Sequence, residues 1–281
     1  MKIEYYTDSK KDKNEDIYGY TSHGAFVLDG ASSLVKTNFS PGGNDVHWMV
    51  NWWKRYLENS LDHLDKTIIE ILQEGVKTFR KDFGKFTDLE TLSVLEQVSA
   101  GIAVVRKKEA IFECFVLGDV EITVEDKDGQ VDIVTDSTIK ILDLQVINMI
   151  SQSENRENRI VYKGFTAEEL DILKKNRMKM NQKDGYSILA TSVEAINKGI
   201  YKTYPLHHLK RCLLSTDGIN PLDNYYMRED LLDEMHKRGV KDLIDELRDH
   251  EKEDLKKKKV KRLKTHDDAT AVLLEFRTHL S

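Results

Sequence analysis

Four short apolar runs in this chain meet an aspartate at one end: "FVLDG" at 26–30, "FVLGD" at 115–119, "LLSTDG" at 213–218, and "HDDAT" at 266–270, which opens into "AVLLEF". Val, Leu and Phe in runs of this length are strand material. Three of the strands run out into an acid, and the fourth starts from one. Any single acid at a strand end is ordinary turn chemistry. If neighbouring strands bring these ends together, however, Asp29, Asp119, Asp217 and Asp267 share one rim, and their mutual repulsion requires a counter-charge.

The segments between these runs read as helices and further strands. From Asn44, "NDVHWMVNWWKRYLENSL" spaces Trp48, Trp52 and Tyr56 four residues apart with Met49 and Trp53 beside them, which predicts an amphipathic helix. "DKTIIEILQEGVKTFRKDF" predicts a second, with Ile68, Leu72, Val76, Phe79 and Phe83 on its apolar face. "SAGIAVV", "AIFECFVLG", "EITVED" and "QVDIVT", separated by turn-like "RKKE" and "DKDG", predict an antiparallel meander. Helices are expected again in "STIKILDLQVINMI" and "TAEELDILKKNRMKM", where Thr166 and Glu169 have capping-box spacing, and strands in "YSILAT" and "RCLLST". A charged helical segment at about 227–264 lies between the third and fourth acids and is expected to leave and re-enter the sheet beside them. With no repeat, no Gly/Ser-rich linker and only 3 prolines, the chain is expected to form one α+β domain over 1–281, its sheets covered by helices.

The net charge of −6 and the pI near 5.9 give no electrostatic basis for nucleic acid as a main partner. The N-terminal "MKIEYYTDSKKDKNED" has no apolar core of signal-peptide length and no apolar run approaches membrane-spanning length, so a cytoplasmic location without membrane contact is expected. Cys114 and Cys212 lack metal or redox spacing and are expected as buried thiols in strands. The most basic section, "KKKKVKRLK" at 256–264, reads either as a solvated loop or as a local surface for an acidic or phosphorylated partner.

Clustered carboxylates without His or Cys suit hard cations such as Mg²⁺ or Mn²⁺ rather than Zn²⁺. Gly30 and Gly218 would let a backbone carbonyl approach such an ion, or they make tight turns. "KNEDIYGY" adds Glu15 and Asp16 before another potential strand.

In this order, Asn14-Glu15-Asp16, Asp29-Gly30, Gly118-Asp119, Thr216-Asp217-Gly218 and Asp267-Asp268-Ala269-Thr270 resemble the motifs of the metal-dependent protein phosphatase family, type 2C, over nearly the whole chain. The resemblance implies a four-layer αββα sandwich: two antiparallel β-sheets packed face to face and flanked by helices. It implies two divalent metal ions, Mn²⁺ or Mg²⁺, with Asp29 bridging them, the Gly30 carbonyl binding one, Asp217 and Asp267 completing the pair, and Glu15 and Asp16 holding their waters. Asp119, with Asp217, corresponds to a third, labile metal site. The implied reaction is hydrolysis of phosphoserine and phosphothreonine in proteins. Metals roughly 3.5–4 Å apart activate a shared water, without a covalent phosphoenzyme.

The chain departs from the family pattern in two places. Lys11 stands where the family usually places a phosphate-gripping Arg, so it supplies charge without the bidentate fork. "DGASS" replaces the usual continuation of "DG", and Ala31 cannot donate a proton. No histidine receives a catalytic role, although His266 adjoins Asp267. Two other readings remain: a catalytically weak regulatory module that binds phosphorylated or partner proteins, and a phosphatase for a small phosphorylated metabolite.

Overall fold

Residue alternation along the central strands fixes the layers of the molecule, a computed structural model that describes residues 1–276. The last residues of the expected 1–281 domain therefore lie outside the described part. Strands β1 (Lys2–Asp8), β2 (Asp16–Tyr20) and β3 (Gly24–Gly30) precede helices α1 (Asp45–Ser60) and α2 (Ile68–Phe83). Next come β4 (Ala100–Lys108), β5 (Ile111–Leu117), β6 (Glu121–Asp126), β7 (Val131–Thr135) and helix α3 (Thr138–Gln152). A small hairpin, β8 (Ile160–Tyr162) and β9 (Phe165–Thr166), leads into α4 (Ala167–Arg177) and the one-turn α5 (Val193–Ile196). The described chain finishes with β10 (Ile200–Pro205), β11 (Leu209–Ser215), α6 (Arg228–Arg238), α7 (Val240–Glu253) and β12 (Ala269–Glu275).

Two five-stranded sheets result, ordered β1-β12-β11-β6-β7 and β10-β5-β4-β3-β2, with every pairing antiparallel. On β3, Ala25 and Val27 face the opposite sheet while Phe26 and Leu28 face α1 and α2. On β11 and β12, Cys212, Leu214, Val272 and Leu274 enter the layer between the sheets, and Leu213 and Leu273 pack under α6 and α7. A period of two, apolar at every position, thus builds three stacked cores and the four-layer helix–sheet–sheet–helix sandwich. Cys114 and Cys212 are free thiols buried in the middle layer, as their apolar runs predict.

The helix expectations hold. The side chain of Asn44 caps α1 by accepting from the His47 amide, and Thr67 with Glu70 forms a capping box on α2. Thr166 and Glu169 do the same on α4. Two strand expectations are corrected. The four-strand meander is divided: β4 and β5 pair in one sheet and β6 and β7 in the other, with the crossing at Gly118-Asp119. Gly118 has φ +92°, a left-handed conformation that accommodates the change of sheet. "YSILAT" makes isolated bridges from Tyr186 to Met180 and from Leu189 to Ala100 rather than a strand, because only Leu189 meets a sheet, at the first residue of β4, while Tyr186, Ile188 and Ala190 pack in a small cluster with Met180 and with Ile139 and Leu142 of α3. Segment 227–264 contains α6, α7 and a loop that returns to β12.

Candidate active site

The topology brings the ends of β3, β5, β11 and the start of β12 to the same rim. Asp29, next to last on β3, lies opposite Asp16 of β2 on one side and Gly101 of β4 on the other. Gly101 separates two acids: a Cβ placed there would be 3.5 Å from Asp119 Oδ1 and 3.7 Å from the Asp29 Cβ. From the opposite sheet, the Asp217 amide donates to Asp29 Oδ2 at 3.2 Å, so the first and third motifs meet directly. The third and fourth meet through Gly218, where a Cβ would lie 1.9 Å from the Asp268 carbonyl oxygen. Gly30 is similarly closed in, with the Glu15 carbonyl oxygen 2.4 Å and Val46 Cγ1 2.5 Å from any Cβ. Both glycines are required by close backbone approach, and neither has a positive φ.

The paired acids at the entrance to β12 divide their tasks. Asp268 is buried and turns toward the N-terminal loop, accepting from Ser9 Oγ (2.6 Å), Lys11 Nζ (2.8 Å) and the Glu15 amide (2.9 Å). Asp267 stays at the rim, where its Oδ1 accepts from Lys264 Nζ at 2.7 Å. Arg248 of α7 fixes this entrance by donating to the Asp267 carbonyl (2.8 Å) and to the Asp8 carboxylate (2.6 Å).

Glu15 and Lys11 are already engaged. Lys11 Nζ donates to Glu15 Oε2 (2.7 Å), Asp268 Oδ2 (2.8 Å) and Ser32 Oγ (3.3 Å), which accounts for its three protons. Glu15 also accepts from Ser32 Oγ and from Asn44 Nδ2 at 3.1 Å. Asp16 is buried behind Asp29, where its carboxylate accepts from Thr216 Oγ1 at 2.6 Å. Lys11 therefore stands beside the rim as the partner of two buried carboxylates. His266 pairs with Glu251 at 2.8 Å and His47 Nδ1 lies 2.6 Å from the Asn14 carbonyl oxygen, so both have structural partners.

The electrostatics match a crowded acidic cluster. Burial, then the charges of Asp16, Asp119 and Asp267, pushes the Asp29 carboxyl well above the usual carboxylate range. Burial, then Asp29, Asp267 and Asp119, does the same to Asp217. Asp16 is raised by burial and by Asp268, and Asp119 is pushed up, chiefly by burial, to about 6. Burial alone would lower the Lys264 ammonium, but Asp267, Asp217 and Asp29 more than offset this and hold it above its ordinary value.

The rim opens into a cavity of about 1100 Å³ lined by Glu15, Asp29, Asp119, Asp217 and Asp267. Its far walls come from α3, the β8–β9 hairpin and α4, including Ile139, Leu142, Lys163 and Arg177, and from Lys256, Lys257 and Lys258 of the loop after α7. Lys259 does not line it and turns outward toward Glu253. The donor set is entirely oxygen and suits a hard divalent cation. Among the described residues, no three His, Cys, Asp or Glu side chains are gathered closely enough to hold such an ion as they stand.

Asp268, Arg248 and Lys264 were not legible as site residues. The doubled acid of "HDDAT" was the available signal for Asp268. Lys264 was hidden at the end of a basic run, and nothing in the sequence ties Arg248 to Asp267.

The sequence matches the family model described as Protein phosphatase 2C over residues 9–257. No protein of curated function matches it. Among solved structures, it resembles serine/threonine phosphatase Stp1 from Staphylococcus aureus at 13% identity, with 98% of this chain and 95% of that chain covered and a TM-score of 0.54. It also resembles the Mycobacterium tuberculosis serine/threonine phosphatase PstP/Ppp at 13% identity, with 99% of each chain covered and a TM-score of 0.58. A third likeness is to the catalytic domain of PstP in complex with two manganese ions, at 14% identity, with 98% of this chain and 97% of that chain covered and a TM-score of 0.53. At these identities the structural likeness is one of fold.

Proposed function

The chain belongs to the protein phosphatase 2C family of protein serine/threonine phosphatases, and from this premise we propose that it hydrolyses phosphoserine and phosphothreonine in proteins with divalent cations at the Asp29–Asp217–Asp267 rim. The observation that carries this reading is the meeting of acids from both sheets at the mouth of one large cavity. When bound, divalent cations supply an activated water and offset the charge on the phosphoryl oxygens. Asp29, Asp217 and Asp267 are the residues that would hold them, with the Gly30 carbonyl as a further ligand, and Asp119 with Asp217 would serve a further, labile ion. Glu15 and Asp16 hold the neighbouring loop and strand in place through Lys11, Ser32 and Thr216. No side-chain nucleophile is needed, which agrees with a rim that offers carboxylates and no Ser-His or Cys-Arg pair.

A cavity of about 1100 Å³ exceeds what a small phosphorylated metabolite needs and favours a segment of protein. Lys256 and Lys258 of the loop after α7, with Lys163, favour acidic residues flanking the phosphate. The second reading, a weakly catalytic module that retains phosphoproteins, draws on the engagement of Lys11 by Glu15 and Asp268. Manganese-dependent hydrolysis of p-nitrophenyl phosphate and of a phosphothreonine peptide tests the two. Turnover that requires Mn²⁺ and disappears in Asp217→Asn supports the enzyme, and peptide retention without turnover supports the module.

A further inference from the structure

The basic run at 256–264 separates into parts with different tasks. Lys257 is buried and donates to the Leu263 carbonyl at 2.8 Å. The Asp254 carboxylate accepts from the amides of Lys258 (2.8 Å), Lys259 (3.1 Å) and Val260 (3.0 Å), and from Arg262 at 2.8 Å. These contacts stake down the loop and leave Lys264 at its end, directed into the acidic rim, 2.7 Å from Asp267 Oδ1. Among the described residues, no other Lys, Arg or His pairs with Asp29, Asp119, Asp217 or Asp267. The same acids do not close around a point as metal ligands in this arrangement.

We propose that Lys264 is the resident cation of the metal-free centre, and that a divalent ion must displace it to bind. This rests on the metal-centre reading given above. A buried cluster of carboxylates requires positive charge, and a single ammonium placed on Asp267 supplies part of it. A divalent cation at the same acids would lie beside that ammonium, and the repulsion between them makes the two occupants alternatives. Because Lys264 is carried by the loop that also places Lys256 and Lys258 on the cavity wall, metal entry and the shape of the substrate cavity are coupled. The apo form is thereby kept stable at the expense of metal affinity.

The test uses the whole chain and Mn²⁺ alone. Lys264→Met should bind Mn²⁺ on the order of tenfold more tightly by calorimetry, and its metal-free form should melt roughly 2–6 °C lower. Lys264→Arg, which keeps the charge, should resemble the parent in both measurements. In the unmodified protein, acylation of Lys264 by an amine-reactive reagent, read by mass spectrometry, should be slow without metal and several-fold faster with saturating Mn²⁺, so the test does not depend on a variant folding. Equal or weaker Mn²⁺ binding in a folded Lys264→Met, or labelling unaffected by Mn²⁺, would overturn the proposal. If Asp217→Asn abolishes Mn²⁺ binding while those results stand against Lys264, the centre survives and only the lysine's role falls. If Asp217→Asn binds Mn²⁺ as the parent does, the centre falls and takes the lysine's role with it.

Discussion

Asp29 and Asp217 each stand at the end of an apolar strand and face the other across the gap between the sheets. Asp29→Asn and Asp217→Asn should each remove most of the Mn²⁺-dependent turnover while leaving the metal-free melting temperature unchanged or higher, since neutralising one acid relieves the others. The same repulsion sets a pH dependence. Asp29, Asp217 and Asp16 titrate well above the ordinary carboxylate value of ~3.9, and Asp119 near about 6. Between the two values the folded state holds more protons than the unfolded chain, so the metal-free protein gains stability as pH falls from neutrality toward ~4. Glu15 and Asp254 are depressed, Asp254 to about 2, and their contributions are lost below that range. Metal-free melts across pH should therefore peak under mildly acidic conditions, and Mn²⁺ should move the peak upward because protons and metal compete for the same oxygens. Lys11 gives a different expectation. Its ammonium neutralises two nearly buried carboxylates, so Lys11→Met should destabilise the protein by about 2 kcal/mol in urea melts, after allowance for the partial exposure of the lysine.

The loop from Asp254 to Asp268 has the most varied sequence tasks of any element at the rim. One carboxylate organises its backbone, Lys257 fills its interior, and Lys256 and Lys258 are presented to the cavity. Lys257 is buried with its ammonium on the Leu263 carbonyl, which gives it a structural task, and burial, then Arg156 and Arg262, lowers that ammonium to about 8. Replacing Lys256 and Lys258 together by Ser should raise KM for an acidic phosphopeptide several-fold while leaving p-nitrophenyl phosphate turnover nearly unchanged. Equal losses on both substrates would assign these lysines to holding the loop instead. On the opposite wall, α3 and α4 pack on each other through Val146, Ile150, Leu170 and Leu173, a small core separate from the three main layers.

At the scale of the molecule, the rim is where the two sheets are joined by polar rather than apolar contacts. Asp29 lies in a strand of one sheet and Asp119 follows another, while Asp217 follows a strand of the other sheet and Asp267 precedes one. An ion shared among them would tie the sheets together at an edge that otherwise repels. Mn²⁺ at a hundredfold excess over its Kd should therefore stabilise the fold by about 2.7 kcal/mol, and a chelator should reverse the gain, as followed by thermal melts. No helix among the described residues is long and apolar enough to cross a membrane.

The sequence by itself determined the helices at 45–60 and 68–83, the capping box at Thr166, the buried thiols and the acids at the strand ends, because each depends on side chains close together in the chain. It did not determine β1 and β10, edge strands of mixed polarity whose pairing is supplied by distant partners. Nor could it show that the chain changes sheets at Gly118-Asp119, since hairpins and sheet crossings can use the same turn residues. The partners of Lys11, the turn of Asp268 toward Ser9 and the delivery of Lys264 to Asp267 were decided by tertiary structure alone. Lys11 and Asp268 are separated by 257 positions, and only the packing of β1 against β12 brings them within reach of a proton.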